Sequence, residues 1–100
     1  MRGIFYEDHL GKFFESTMHE VLDAEYALNR KFIKEGQVCL NDFFELLGQP
    51  VTLEGELVRW VRTQQNLVYI SYEKFELDDG LECCQIKLFA KNANDVMERK

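Results

Sequence analysis

The chain has 100 residues, with 12 basic and 18 acidic side chains, a net charge of −6 and an apolar fraction of 46%. That allows one domain around one core, since a chain of this size buries roughly two-thirds of its unfolded surface. It excludes a second catalytic domain within these residues and a disordered chain and, for want of a basic face, argues against nucleic-acid or membrane partners.

The N-terminus turns acidic at Glu7 and Asp8 with no signal-like apolar stretch behind Arg2, so no export signal is expected. No unbroken apolar run exceeds four residues, against the ~20 that a bilayer span requires. Cys39, Cys83 and Cys84 are odd in number and two are adjacent, which suits a reducing compartment and predicts a cytoplasmic protein.

Residues 2–6 and 12–15 are short aromatic-rich runs around Asp8-His9-Leu10-Gly11, which predicts a β-hairpin. The competing reading is a helix reaching back to Glu7 through Leu10, Phe14 and Met18; Gly11 counts against it by ~1 kcal/mol. From Ser16 the pattern is helical. Thr17 and Glu20 form a capping box, Met18, Val21, Leu22, Leu28, Phe32 and Ile33 recur at three-to-four spacing, and Gly36 is the stop. Glu25 and Asn29 interrupt this stripe, and pairing to a neighbouring loop or to Arg59 is expected of them.

Residues 40–48 predict a short second helix that opens on Asn41 or Asp42 and closes on Gly48, with Pro50 beyond. Residues 51–62, 67–77 and 81–90 predict three strands: Leu53, Gly55, Leu57 and Val61 alternate in the first, and Cys84, Ile86, Leu88 and Ala90 point inward in the third. The fold expected is therefore α+β: an N-terminal β-hairpin, one long and one short helix, and a three-stranded antiparallel β-meander with the long helix on one face. Residues 1–91 form the single domain and 92–100 a polar tail. An open sheet leaves an edge through which a homodimer can form.

Few motifs carry chemistry. His19-Glu20-Val21-Leu22-Asp23 has the look of a zinc-protease helix, but Asp23 stands where the second histidine must be, so a solvated helix start is expected. Cys83 and Cys84 are neighbours on a strand and point to opposite faces, with Cys84 expected in the core and Cys83 exposed or under the helices. No nucleophile has a base at a recognisable spacing and no glycine-rich phosphate loop is present, so no enzyme activity, catalytic residue or cofactor is assigned. A small metal- or ligand-binding regulator using Cys83, Cys39 and a histidine is the alternative.

Five carboxylates, Glu73, Glu76, Asp78, Asp79 and Glu82, stand against one Lys74 around the last predicted hairpin. The stretch is too short for an EF-hand loop. As a solvated turn it does nothing further; as a functional surface it attracts a basic protein partner or imitates DNA charge. Trp60, between Arg59 and Arg62, is a contact anchor if exposed and a core residue if not. DNA binding through the first helices would depend on Arg30, Lys31 and Lys34 alone, since residues 1–36 carry five basic and seven acidic side chains.

The segments Glu25-Tyr26-Ala27-Leu28-Asn29-Arg30-Lys31-Phe32, Leu40-Asn41-Asp42-Phe43-Phe44-Glu45-Leu46-Leu47-Gly48 and Asp79-Gly80-Leu81-Glu82-Cys83, followed by Ile86, form a series. It resembles the C-terminal domain of an uncharacterised family of phage-like and mobile-element proteins of Gram-positive bacteria. That family's pattern is LNR-x-F, then GxxSLNDFYxxLGL, a Gly-Trp, and DGxxC. The resemblance covers roughly residues 5–89 and its middle segment is the most specific. Cys39 stands where the family has Ser, Phe44 where it has Tyr, and Arg59 precedes Trp60 where it has Gly. The resemblance implies no activity and no catalytic residue. It does imply that Leu28, Asn29, Asn41, Asp42, Gly48, Gly80 and Cys83 serve the fold as caps, turns and a polar bridge between helix and sheet.

Overall fold

Two glycines and a capping box set the first three elements. In a computed structural model, which describes residues 2–63 and 65–92, Gly11 at φ 63° turns β1 (Gly3–Glu7) back onto β2 (Lys12–Ser16), so that Phe5 faces Phe14. α1 (Met18–Glu35) starts where the Thr17 hydroxyl accepts the Glu20 N–H and the Glu20 carboxylate accepts the Thr17 N–H. It ends at Gly36, whose φ of 85° is left-handed and whose N–H donates to the Phe32 carbonyl. The predicted hairpin and 18-residue helix are both present.

There follow β3 (Gln37–Cys39), α2 (Leu40–Leu46), α3 (Leu53–Leu57), β4 (Arg59–Val61), β5 (Asn66–Glu76) and β6 (Glu82–Asn92). Helices and strands segregate as the α+β class requires, but the sheet is not a three-stranded meander. β5 and β6 form a long antiparallel hairpin, and β6 then lies parallel to β1, giving a mixed four-stranded sheet in the order β2-β1-β6-β5. The segment predicted as the first meander strand is instead α3 followed by β4, and β4 pairs with β3 in a separate two-stranded sheet. Its alternation is overridden by local capping: the Thr52 hydroxyl accepts the Gly55 N–H and opens a helical turn. Asn92 ends β6; the rest of the predicted polar tail lies outside the described residues.

One core joins the layers. Phe5, Phe14, Val68, Ile70, Cys84, Ile86 and Leu88 on one face of the large sheet meet Val21, Ala24, Leu28 and Phe32 of α1 and Phe43 and Phe44 of α2. The apolar positions of α1 therefore divide into two stripes. Val21, Leu28 and Phe32 are fully buried, whereas Met18, Leu22 and Ile33, predicted to share their stripe, are exposed with Tyr26.

The boundary between the stripes is polar and has a structural task. β5 is an edge strand, so every second residue along it directs an N–H and a C=O away from the sheet. The Asn29 amide donates to the Val68 carbonyl and accepts the Val68 N–H, both at 2.8 Å. The Glu25 carboxylate accepts the Ile70 N–H at 3.0 Å. These partners replace the expected loop or Arg59, which bonds Glu56 instead.

A second polar latch builds the small sheet. α2 is capped by Cys39 rather than by Asn41 or Asp42; Asp42 reaches back to accept the Cys39 N–H at 2.9 Å and holds Lys31 at 2.8 Å. Asn41 is thereby freed to donate to the Thr52 carbonyl and the Glu56 carboxylate while accepting the Thr52 N–H. Gly55 is buried directly against that amide, where a Cβ would overlap it.

Two stability outcomes follow. Asn29→Ala strips both Val68 groups of their partner and should lower unfolding free energy by about 2 kcal/mol, read from urea denaturation. Gly55→Ala forces the Asn41 amide aside and should cost about 1–3 kcal/mol, with the strongest loss of amide hydrogen-exchange protection expected in residues 39–42 and 52–58.

Candidate functional site

The five predicted carboxylates share an end of the sheet rather than one face. Glu73 and Glu76 lie on β5, Asp78 and Asp79 in the turn and Glu82 at the start of β6, all exposed. Strand alternation puts Glu73, opposite Gln85, on one face of the hairpin and the directly opposed Glu76 and Glu82 on the other. Gly80 makes the turn at φ 87°, and the Asp79 carboxylate accepts the Leu81 N–H at 3.1 Å.

Trp60 does not belong to this cluster. It lies on β4 opposite Val38, partly buried against the core, with the His9 ring nearly perpendicular to its own and the centroids 5.7 Å apart. His9 follows the C-terminal end of β1, whereas the acidic hairpin closes beyond the N-terminal end, where Ile4 meets Cys83. Trp60 and the carboxylates are thus at opposite ends of the large sheet.

His9 itself is held by a residue that composition could not single out. Glu7 is fully buried, and its carboxylate accepts the His9 N–H, the Leu10 N–H and a contact at 2.8 Å from His9 Nδ1. These bonds tie the β1–β2 turn together and orient the imidazole. His19, by contrast, is a solvated helix-start residue paired with Asp23 at 3.2 Å.

All three cysteines are free and buried. Cys84 faces the core as predicted. Cys83 is 2% exposed rather than open to solvent, lying on the other face of the sheet between Ile4 and Phe75. Burial pushes all three thiols up, away from reactivity at neutral pH. Cys39 is in the small sheet and Cys83 in the large one, and no group of three or more His, Cys, Asp or Glu side chains converges to hold a metal among the described residues.

Two further apolar surfaces lie away from these groups. With one face of the large sheet turned to the helices, alternation puts Tyr6, Phe13, Tyr69, Phe75 and Phe89 on the opposite face. Tyr6 and Phe13 have ring centroids 4.8 Å apart, Tyr69 and Phe89 6.0 Å, and Phe13 is 52% exposed. Around the β5 edge, Leu67 and Tyr69 continue into an open groove of about 460 Å³ whose other wall is Leu22, Tyr26 and Ile33 of α1. Sequence spacing hides this groove, because both stripes of α1 repeat every three or four residues.

Glu25 lies beneath the groove. Burial raises its carboxyl above the usual glutamate range, and the Ile70 N–H offsets part of that rise. Burial, the Glu25 carboxylate and Cys84 together push the nearby Tyr72 hydroxyl up to about 12. No helix among the described residues is long and apolar enough to cross a membrane.

Residues 2–97 match the Family of unknown function (DUF6353), and the chain belongs to it. No curated protein and no solved structure matches the chain.

The raised Glu25 value fixes a direction for pH. The folded state holds this proton more tightly than the unfolded state, so Glu25 subtracts stability as pH rises from the ordinary glutamate range through the raised value. Glu25→Gln, which keeps an acceptor for the Ile70 N–H, should be more stable than the wild type at pH 7, and the difference should vanish below about pH 4. Thermal melts of both chains across that range check it.

Proposed function

We propose that this DUF6353 member is a non-catalytic protein-interaction module of a phage or other mobile element, acting in the host cytoplasm on a basic protein partner. The observation that carries the reading is the helix-free aromatic face of the large sheet, which runs into the acidic β5–β6 hairpin. On that face Phe13 is exposed and Tyr6, Tyr69, Phe75 and Phe89 are half-buried, and accessible rings of this kind serve as anchors in protein contacts. Charge at its border would steer a basic partner onto it. Glu76 directly opposite Glu82 is a like-charge cross-strand pair, a cost to the hairpin that nothing in the fold requires.

Three free thiols suit a reducing compartment. The mobile-element assignment rests on the resemblance of the Leu28–Phe32, Leu40–Gly48 and Asp79–Cys83 segments. No observation favours the metal-binding alternative, which would need Cys39 and Cys83 together. DNA binding is weakened further, because Lys31 is engaged by Asp42 and the Arg30 guanidinium lies 5.9 Å over the Tyr26 ring.

Affinity capture from a Gram-positive host lysate tests the reading, comparing the wild type with a chain carrying Glu73→Gln, Glu76→Gln, Asp78→Asn, Asp79→Asn and Glu82→Gln. A specific partner should be retained at about 50 mM salt, lost at about 300 mM, and bound roughly tenfold more weakly by the neutralised chain. Equal retention by both chains removes the acidic hairpin from the interface, and a partner unaffected by Phe13→Ser or Tyr69→Ser removes the sheet face.

A further inference from the structure

The outward stripe of α1 takes no part in the sheet face or the hairpin, and it has the form of a helix-pairing seam. Met18, Leu22, Tyr26 and Ile33 are 38%, 46%, 67% and 58% exposed. At 100° per residue they occupy a sector of about 80°, narrow as in coiled coils rather than broad as on a core-facing helix, and they extend about 22 Å along the axis. One border of the seam is apolar, formed by Leu67 and Tyr69 across the groove. The other border is charged, with His19, Asp23, Arg30 and Lys34 in succession.

We propose that this seam binds a second copy of the chain, with the two α1 helices antiparallel across a two-fold axis beside Tyr26. The seam is self-complementary about that point. Met18 and Ile33 end it at nearly equal distances, so reversal of one helix sets Met18 of each copy against Ile33 of the other. Leu22 then faces Asn29, whose amide is held in place by both backbone groups of Val68. Tyr26, 67% exposed, lies beside the axis, where the two-fold sets it against the same ring of the other copy.

Charge selects this occupant. A two-fold interface brings together residues equally far to either side of its axis. Asp23 lies three residues before Tyr26 and Arg30 four after, on the same border of the helix, so the arrangement yields two Asp23–Arg30 pairs by symmetry. A parallel arrangement would instead set this charged border of each copy against the apolar Leu67 and Tyr69 border of the other, and would form neither pair. Pairing through the β5 edge is blocked over Val68 and Ile70 by Asn29 and Glu25, so the helix rather than that stretch of edge is the available surface. The proposal is independent of the hairpin's partner.

Sedimentation equilibrium on the full chain, from about 1 to 300 µM, tests it. The wild type should show a monomer–dimer equilibrium in that range. Leu22→Asp, at an exposed position whose fold can be checked by circular dichroism, should be monomeric throughout. Asp23→Arg and Arg30→Asp should each weaken association more than about tenfold, and the double exchange should return it to within about threefold of wild type. A wild type that stays monomeric overturns the proposal, as does a dimer indifferent to Leu22→Asp. Charge reversals that weaken the dimer without mutual rescue overturn the antiparallel arrangement.

Discussion

The placement of α1 against the edge of β5 depends on three hydrogen bonds. Asn29 answers both backbone groups of Val68, and Glu25 answers the N–H of Ile70. Apolar packing alone would let a helix with this much exposed Leu, Tyr and Ile rotate about its axis, because its two stripes differ little in hydrophobicity. Directional bonds remove that freedom. With residues 25 and 29 fixed on the strand edge, Val21, Ala24, Leu28 and Phe32 must face the core, and Leu22, Tyr26 and Ile33 must face outward. The same bonds satisfy edge groups that would otherwise invite another strand. Burying the Glu25 carboxylate for one N–H is the costly member of the set, and its raised pKa expresses that cost.

Asn41 does for the small sheet what Asn29 does for the large one. Its amide bonds both backbone groups of Thr52, eleven residues away, and so closes the loop that carries α3 and β4 back beside β3. The Leu40 N–H, donating to the Val58 carbonyl, fastens the other end of that loop. In both latches one amide donates and accepts at once and so answers both backbone groups of a single residue, Val68 on the strand edge and Thr52 at the cap of α3.

Elements whose signals are local were legible in the sequence. Thr17, Glu20 and Gly36 state both ends of α1, and Gly11 and Gly80 mark the hairpins, because caps and left-handed turns are chosen by the residues that form them. What stayed hidden depends on contacts distant in sequence. Nothing near Phe5 indicates that it will lie parallel to Cys84. Residues 53–57 alternate like a strand, yet Thr52 and the Asn41 latch wind them into a helical turn. The partners of Glu25 and Asn29 lie 45 and 39 residues away, so their presence in an apolar stripe signalled a buried bond but not its address. The acidic hairpin could be read directly from composition, whereas the aromatic face could not: Tyr6, Phe13, Tyr69 and Phe89 become a surface only once register and alternation place them together.

The edges and faces of the large sheet are treated differently, and the difference decides how the molecule can meet a partner. The β5 edge is closed by side chains over Val68 and Ile70 and guarded beyond them by Lys74 and Glu76, exposed residues of the kind that discourage strand addition. The opposite edge, β2, is only five residues long; Lys12 at its start is drawn to the Pro50 carbonyl and over the Phe44 ring, and Glu15 stands exposed near its end. Backbone pairing is therefore discouraged at both edges. The faces carry no such protection: Phe13 lies open on the sheet beside half-buried rings, and Met18, Leu22, Tyr26 and Ile33 lie open on α1. A fold that needed only to stay monomeric and inert would gain from polar residues at Phe13, Tyr26 and Ile33, where no core contact depends on apolar character. These side chains, beside edges that discourage indiscriminate strand pairing, are the ones on which both proposed associations would draw, since side-chain surfaces can discriminate by shape and charge where a bare strand edge cannot.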